Sequence, residues 1–204
     1  IIKKGKTFLY KKDIPQTLIM VGLPSFDRED PDYYTLMVMN HIFGASGFGS
    51  HLMEEAREKR GLTYGIYSSM SSQDYISTLT ISTSTKNETA KEMMEIIPAE
   101  MENMQKIPVS AQELMDAKSY IVGSMPLSMT STSNISAIVL DLQIHERPID
   151  YLDNFPNKIN AVTASDIERV AKRILAPQKM MTVMVGAPDG IENAEIKNSL
   201  NNVE

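Results

Sequence analysis

The sequence contains no cysteine, and this absence excludes several kinds of chemistry. Without a thiol the chain can form no disulfide, offer no thiolate nucleophile and bind no metal through sulfur. A formal net charge of −6 argues against nucleic acid or an anionic membrane surface as the main partner. No apolar run approaches the roughly 20 residues that a membrane-spanning helix needs, and no signal peptide is recognisable.

The composition that remains is typical of a globular domain. Of the 204 residues, 42% are hydrophobic and 23% are charged, which is enough to build a sizeable core. We find no internal repeat, linker or low-complexity tract, and therefore expect residues 1–204 to form a single α+β domain with several helices on one side of the strands. Because the first residue is Ile1 rather than Met, we expect this domain to be part of something longer.

Five strands are predicted from the pattern of apolar residues, at residues 6–10, 16–23, 64–71, 75–84 and 180–186. The second is a nearly continuous apolar run, which predicts a strand covered on both faces. The third and fourth should pair through a turn near Gln73 and Asp74. In the fourth, Leu79 and Ile81 alternate with hydroxyl residues, so one face should be wet. The polar tail after Pro188 should be frayed.

Helices are predicted between these strands. A buried helix should start at Asp30 and Pro31 and end at Phe43, and a long helix should cover residues 87–105 with a core-facing methionine stripe. Capping boxes at Ser110 and Thr163 each open a further helix. Between them, one helix should carry a single apolar face, formed by Ile135, Ile138, Val139 and Leu142.

The central stretch, residues 44–67, reads GASGFGSHLMEEAREKRGLTYGIY and carries the functional argument. A glycine-rich loop is followed by a charged helix that Ser50 can cap and that Gly61 can end, because glycine adopts a left-handed conformation at little cost. Arg57 should lie near the last turn of that helix, and Tyr64 where the chain enters a strand. A guanidinium and a phenol placed in this way can converge beside a sheet edge.

The sequence offers weaker support for a metal site, a phosphate site or a nucleophilic serine. His51 and Glu54 begin like the zinc helix H-x-x-E-H, but Glu55 stands where the second imidazole must be, so we predict no zinc bound by this chain alone. His41 and His145 lie in otherwise apolar helices and are expected to be structural. The glycines lack a phosphate-binding spacing, and no serine has a nucleophile motif. For Arg57 the simpler alternative is an exposed residue paired with Glu54 or Glu58.

The segment GFGSHLMEEAREKRGLTYGIYS resembles the M16 family of zinc metallopeptidases, and in particular its non-catalytic half, where G-G-G-x-F-S-S-R-L-x-x-E-x-R-E-K-R-G-L-A-Y is usual. The closing segment, YLDNFPNKINAVTASDIERVAKRILAPQKMMTVMVG, also resembles the end of that domain, so the similarity covers nearly the whole chain. It implies a mixed or antiparallel sheet with helices mainly on one face. His51 and the pair Ala45 and Ser46 depart from the family pattern, which affects the loop but not Arg57 or Tyr64.

The resemblance also implies a function. Two homologous halves enclose a peptide, one holding zinc and the other contributing Arg57 and Tyr64 to the substrate carbonyls. The loop containing Gly44, Gly47, Phe48 and Gly49 would hold or guide the substrate. The cofactor, zinc, would then belong to a partner half, within the same polypeptide or in a separate subunit. A bacterial protein is implied, with the periplasm preferred over the cytoplasm. Alternatives are a non-proteolytic scaffold subunit, like the respiratory-complex core subunits, and a free-standing peptide-binding module.

Overall fold

The computed structural model describes residues 5–72 and 76–197. Within them one mixed sheet has the strand order β3-β4-β2-β5-β1-β6. The strands are β1 (Lys6–Lys11), β2 (Gln16–Pro24), β3 (Ile66–Ser71), β4 (Thr78–Lys86), β5 (Met181–Gly186) and β6 (Glu195–Lys197). Strand β1 runs parallel to β5 and β6, and the remaining neighbours pair antiparallel. The α+β class and the mixed sheet are therefore confirmed.

Helices connect the strands. Those of the described residues are α1 (Tyr33–Asn40), α2 (His51–Met53), α3 (Ala90–Lys106), α4 (Ala111–Ser124), α5 (Thr132–Ile144), α6 (Tyr151–Ala161) and α7 (Ala164–Ile174). Helices α1 and α2 each continue into a π-type turn, His41–Ala45 and Glu54–Glu58. The capping boxes predicted at Ser110 and Thr163 are both present. None of the helices in these residues is both long and apolar enough to cross a membrane.

One face of the sheet is buried beneath the helices, as predicted. Ile19, Val21 and Leu23 of β2 are almost fully buried, in one core with residues of α1, α3 and α7. The prediction that β2 is covered on both faces is wrong, because Leu18 and Met20 on its other face are each 45% exposed. A continuous apolar run shows that both faces of a strand are hydrophobic. It does not show whether one face or both faces are covered by other elements.

The core-facing stripe of α3 is confirmed. Met93, Ile97, Met101 and Met104 are buried, and Pro98 lies inside the same helix. Helix α5 differs from the expectation of a packed apolar face. None of its residues is buried, although Ile138 and Leu142 are half-buried and Arg28 pairs with Asp141 at 2.7 Å.

Several element boundaries differ from prediction, and three of them bear on the fold or the site. Helix α1 starts at Tyr33 rather than at Pro31, because the carbonyl of Asp30 accepts from the Tyr33 N–H in a preceding turn, with the nitrogen and oxygen 2.9 Å apart. Strand β3 begins at Ile66, so Tyr64 precedes it. The tail is not wholly frayed, since β6 pairs with β1. The predicted turn at residues 73–74 and the strand start at residue 75 lie outside the described residues.

Candidate functional site

The helix that carries the site begins at Ser50, which caps it as predicted. The Ser50 hydroxyl oxygen accepts from the Met53 N–H at 3.4 Å and the same hydroxyl donates to the Gly47 carbonyl at 2.8 Å. The Ser50 N–H also donates to that carbonyl at 3.0 Å. Gly47 has a φ of 72°, which glycine adopts at little cost. These bonds turn the chain tightly at Gly47–Gly49, so that the Phe48 side chain is exposed at the tip of the turn.

Arg57 lies in the π-type turn that ends the helix. The core-facing side of this segment is fixed by packing, because Leu52, Met53 and Ala56 are fully buried. Gly61 ends the helical segment with a φ of 63°, and its N–H donates to the Arg57 carbonyl at 2.8 Å. The backbone of Arg57 is therefore fixed between a buried helix and a glycine stop, while its side chain lies at the surface.

The backbone around Tyr64 is held by threonines of the neighbouring strand. The Thr63 hydroxyl donates to the carbonyl of Ser84 at 2.7 Å, and the Thr83 hydroxyl donates to that of Gly65 at 2.9 Å. The Thr85 hydroxyl donates to the carbonyl of the residue before Thr63 at 2.6 Å. Tyr64 itself is 86% exposed. A rigid connection thus presents a phenol to solvent.

Three of the predicted residues meet at one point. The Arg57 Cζ lies 4.3 Å from the ring centroid of Phe48 and 5.0 Å from that of Tyr64, so the guanidinium contacts two aromatic rings. The alternative in which Arg57 pairs with an acidic neighbour is realised in part, because its Nε lies 3.7 Å from the Glu58 carboxylate, a distance too long for a hydrogen bond. Within the described part of the chain, Arg57 makes no side-chain hydrogen bond.

Neighbouring basic side chains neutralise the acidic part of this helix instead. Arg60 and Lys59 both donate to the Glu55 carboxylate, and these two bonds lower the pKa of Glu55 below its usual value. Glu55 therefore pairs with Lys59 and Arg60 and not with Arg57. The donors of Arg57 are left available for a molecule that approaches from solvent.

The glycine-rich loop divides into two parts. Gly44 is buried in the π-type turn after α1, where a Cβ would come within 2.8 Å of the Ser68 Cβ and 2.9 Å of the Leu52 Cδ1. Around Gly47, by contrast, a Cβ would meet no atom within 4 Å. Gly49 lies beside it in the exposed turn. Contact between these residues and a substrate stays a prediction, and for Gly44 the structure adds a packing role.

The three histidines that were weighed as metal ligands lie in separate places and have separate partners. The His51 Nε2 lies 2.8 Å from a Glu113 carboxylate oxygen and so joins α2 to the capping box of α4. His41 stacks on Tyr120 with ring centroids 4.8 Å apart, and burial lowers the pKa of His41. His145 lies 3.5 Å from Asp141. In residues 5–72 and 76–197 no three acidic or imidazole groups come together as metal ligands, so these side chains do not fit a zinc ion.

The sequence argument missed the residues that hold the site. Thr83 and Thr85 support the connection before β3 from a strand twenty residues away, and both side chains are buried. A signal for them was present. They continue the inward series of Leu79 and Ile81 on β4, and a hydroxyl on the covered face of a strand needs a hydrogen-bond partner.

Comparison with known proteins places the fold and the site stretch in a family. The family model described as the peptidase M16 inactive domain matches residues 2–121, which include Phe48, Arg57 and Tyr64. The crystal structure of a peptidase M16 inactive domain from Pseudomonas fluorescens is similar, with 28% identity and a TM-score of 0.82. The similarity covers 96% of this chain and 45% of that one.

Curated relatives are longer than this chain. The uncharacterized zinc protease YmxG of Bacillus subtilis is 25% identical over 180 residues, which are 88% of this chain and 43% of that protein. The non-peptidase homolog YmxG of Helicobacter pylori is 27% identical over 172 residues, 83% of this chain and 39% of that protein. The chain therefore spans less than half the length of these relatives.

Proposed function

Because the chain belongs to the family of peptidase M16 inactive domains, we propose that it is the substrate-binding, zinc-free half of an M16-type zinc metallopeptidase. The zinc-bearing half would be another domain of the same polypeptide or a separate subunit. The observation that carries the proposal is the exposed cluster in which the Arg57 guanidinium contacts the rings of Phe48 and Tyr64 at 4.3 and 5.0 Å. The loop residues Gly47 and Gly49 would complete the substrate-binding surface, with the buried Gly44 packed behind them.

In this proposal Arg57 and Tyr64 bind carbonyl groups of a peptide. The guanidinium has five N–H donors, and its two-ring stack leaves them at the edge of the plane, where backbone carbonyl oxygens can accept. The Tyr64 hydroxyl donates to the carbonyl oxygen of the bond to be cleaved, on which negative charge grows during attack. A preorganised donor at such an oxygen contributes roughly 3–4 kcal/mol to transition-state stabilisation.

The neighbouring strand offers a way to hold the rest of the peptide. Strand β3 has one partner, β4, in the described sheet, so its outer edge carries unpaired backbone groups. Tyr64 lies two residues before this strand. An extended peptide that pairs with the edge would satisfy its backbone whatever its sequence, and its carbonyls would run past the phenol. We therefore propose extended peptides or unfolded segments as the substrate class.

The test is peptide cleavage by the full assembly, containing this chain and its zinc-bearing half. Arg57→Ala and Tyr64→Phe should each lower kcat/KM for a fluorogenic peptide about 100-fold, as expected when one transition-state donor is removed. Matched controls are Arg60→Ala, which removes the neighbouring guanidinium, and Tyr120→Phe, which removes an exposed phenol on α4. Both should stay within about twofold of the unsubstituted assembly. Full activity of both site variants would refute the assigned roles.

A second candidate is a non-proteolytic scaffold subunit on the same fold. The relative that favours it is the Helicobacter pylori protein described as a non-peptidase homolog, which is 27% identical to this chain. A scaffold has no need of an arginine that is held between two surface rings with no side-chain hydrogen bond to the described residues, which is why we prefer the peptidase. Sequencing the flanking coding region separates the two. An H-x-x-E-H domain there supports the enzyme, whereas its absence from the flanking and neighbouring genes supports the scaffold.

A further inference from the structure

Phe48 is exposed in a way that packing does not explain. Its ring is 66% exposed, at the tip of the three-residue turn Gly47–Gly49, and contributes little to the core. A single exposed apolar side chain is ordinary, but the Phe48 ring keeps its faces available for a neighbouring cation. The cation beside this ring is that of Arg57, whose Cζ lies 4.3 Å from the Phe48 ring centroid.

The turn fixes this contact from both sides of Phe48. Gly47 takes a φ of 72°, and its carbonyl accepts from the N–H and the hydroxyl of Ser50. Ser50 is fully buried and caps the helix on which Arg57 lies. The turn that carries the ring and the helix that carries the guanidinium are therefore joined through one residue, which limits how far they can move apart.

The chemistry of the contact matters as much as its distance. Arg57 is flanked by Glu54 and Glu58, and its Nε already lies 3.7 Å from the Glu58 carboxylate, just beyond hydrogen-bond distance. A carboxylate would accept from the guanidinium N–H groups and so occupy the donors that a substrate needs. An aromatic face binds the flat side of the cation instead and leaves the N–H groups at the rim available.

We propose that Phe48 is a positioning residue, which stacks on the Arg57 guanidinium, keeps the 3.7 Å approach to Glu58 from closing into a hydrogen-bonded pair and aims the guanidinium donors at the peptide carbonyls. The inference rests on the proposed function for Arg57 but assigns Phe48 a separate role. Phe48 acts through Arg57 and need not touch the substrate. Tyr64 provides the second ring, at 5.0 Å from the Arg57 Cζ.

The test compares Phe48→Leu with Phe48→Tyr in the full peptidase assembly. Leucine keeps an apolar side chain but has no π face, so kcat/KM should fall about fivefold, in line with a cation–π contact at a partly exposed site. Most of this loss should be a rise in KM, since the donors are less often in place. Tyrosine keeps the π face and should restore kcat/KM to within twofold. In an Arg57→Ala background Phe48→Leu should have no further effect, because the two residues act as a pair.

A spectroscopic readout tests the contact without catalysis. In an NMR spectrum of this chain, the Arg57 Nε–Hε signal should be displaced by the ring currents of its aromatic neighbours. Phe48→Leu should move it toward its position in a free arginine, and Phe48→Tyr should keep it displaced. An unchanged signal in Phe48→Leu would overturn the proposed contact.

The outcomes separate the two proposals. If Arg57→Ala lowers activity while Phe48→Leu keeps full activity, the positioning role is wrong and the proposed function stands. A Phe48→Leu loss that is as large in the Arg57→Ala background as in the unsubstituted assembly also overturns positioning. If Arg57→Ala keeps full activity, the proposed function fails, and the role of Phe48 in substrate binding fails with it.

Discussion

The two sides of the segment from Gly44 to Tyr64 differ in almost every physical respect. Its inner side, Leu52, Met53 and Ala56, is fully buried against the sheet and α3. Its outer side presents Phe48 and Tyr64, which are 66% and 86% exposed, with Arg57 between them. The inner side fixes where the outer side lies, and the outer side adds almost nothing to the core. Substitutions on the two sides should therefore affect different quantities, stability on one and activity on the other.

The largest stability effect should come from the inner side. Leu52→Ala removes a fully buried side chain and leaves a cavity, so it should lower the free energy of unfolding by about 2–5 kcal/mol. Chemical denaturation followed by circular dichroism measures this change. Leu127→Ala is the matched control, since Leu127 is 69% exposed and should cost less than about 0.5 kcal/mol. Equal costs for the two variants would contradict the division between the sides.

The outer side should show the opposite behaviour. Tyr64→Phe removes a hydroxyl from an exposed side chain and should change the free energy of unfolding by less than about 0.5 kcal/mol. Arg57→Ala removes a guanidinium that contacts two surface rings and should cost at most about 1 kcal/mol. The activity losses given for them above would then be losses of chemistry rather than of folded protein. Thermal denaturation of each variant beside its kinetic assay tests this point. A loss of activity that follows a loss of stability would place Arg57 and Tyr64 in the scaffold.

A smaller effect should separate the two parts of the glycine loop. Gly44→Ala adds a Cβ within 2.9 Å of Leu52 and closer still to Ser68, so it should destabilise the fold by about 1–3 kcal/mol. Gly123→Ala adds the same methyl group inside α4, where no atom lies within 4 Å, and should be neutral or stabilising by up to about 1 kcal/mol. Similar unfolding midpoints for both variants would mean that α1 and β3 can move apart freely at Gly44.

Sequence reasoning succeeded where local rules decide the structure. The Ser50 cap and the Gly61 stop follow from the few residues around them, and together they fixed where Arg57 would lie. It failed where the deciding contact is distant in sequence. The packing of Gly44 depends on Ser68, and the support of Tyr64 depends on Thr83, so both needed the pairing of β3 with β4.

The stacking of Phe48 on Arg57 was predictable only in part from the sequence. Phe48 was predicted as part of the loop, and Arg57 as part of the helix, but their contact depends on the φ of Gly47 and on the bonds between Gly47 and Ser50. The exposed face of β2 was missed for another reason. Apolar residues at Leu18 and Met20 indicate that a face is hydrophobic, not that the described chain covers it.

The smallest effect concerns the pair of His51 and Glu113, which ties the start of the site helix to α4. Partial burial raises the pKa of Glu113, but bonds from Ser110 and His51 outweigh it and lower that pKa to about 2. A depressed pKa means that the folded state favours the carboxylate. Its contribution to stability is therefore complete above the ordinary value of 4.5 and is lost as the pH falls toward 2.

Glu113→Gln should therefore destabilise the fold at pH 7 by about 1 kcal/mol, a figure reduced for screening because the side chain is 43% exposed. The difference from the unsubstituted chain should shrink as the pH falls below 4.5, since protonation of Glu113 takes from the unsubstituted chain the negative charge that the variant already lacks. Urea denaturation at pH 7, 5 and 3.5 follows this convergence. Glu102→Gln, in an exposed pair with Lys106, should cost less than about 0.5 kcal/mol at pH 7. A Glu113→Gln cost that stays constant across the three pH values would show that Glu113 contributes through packing rather than through its charge.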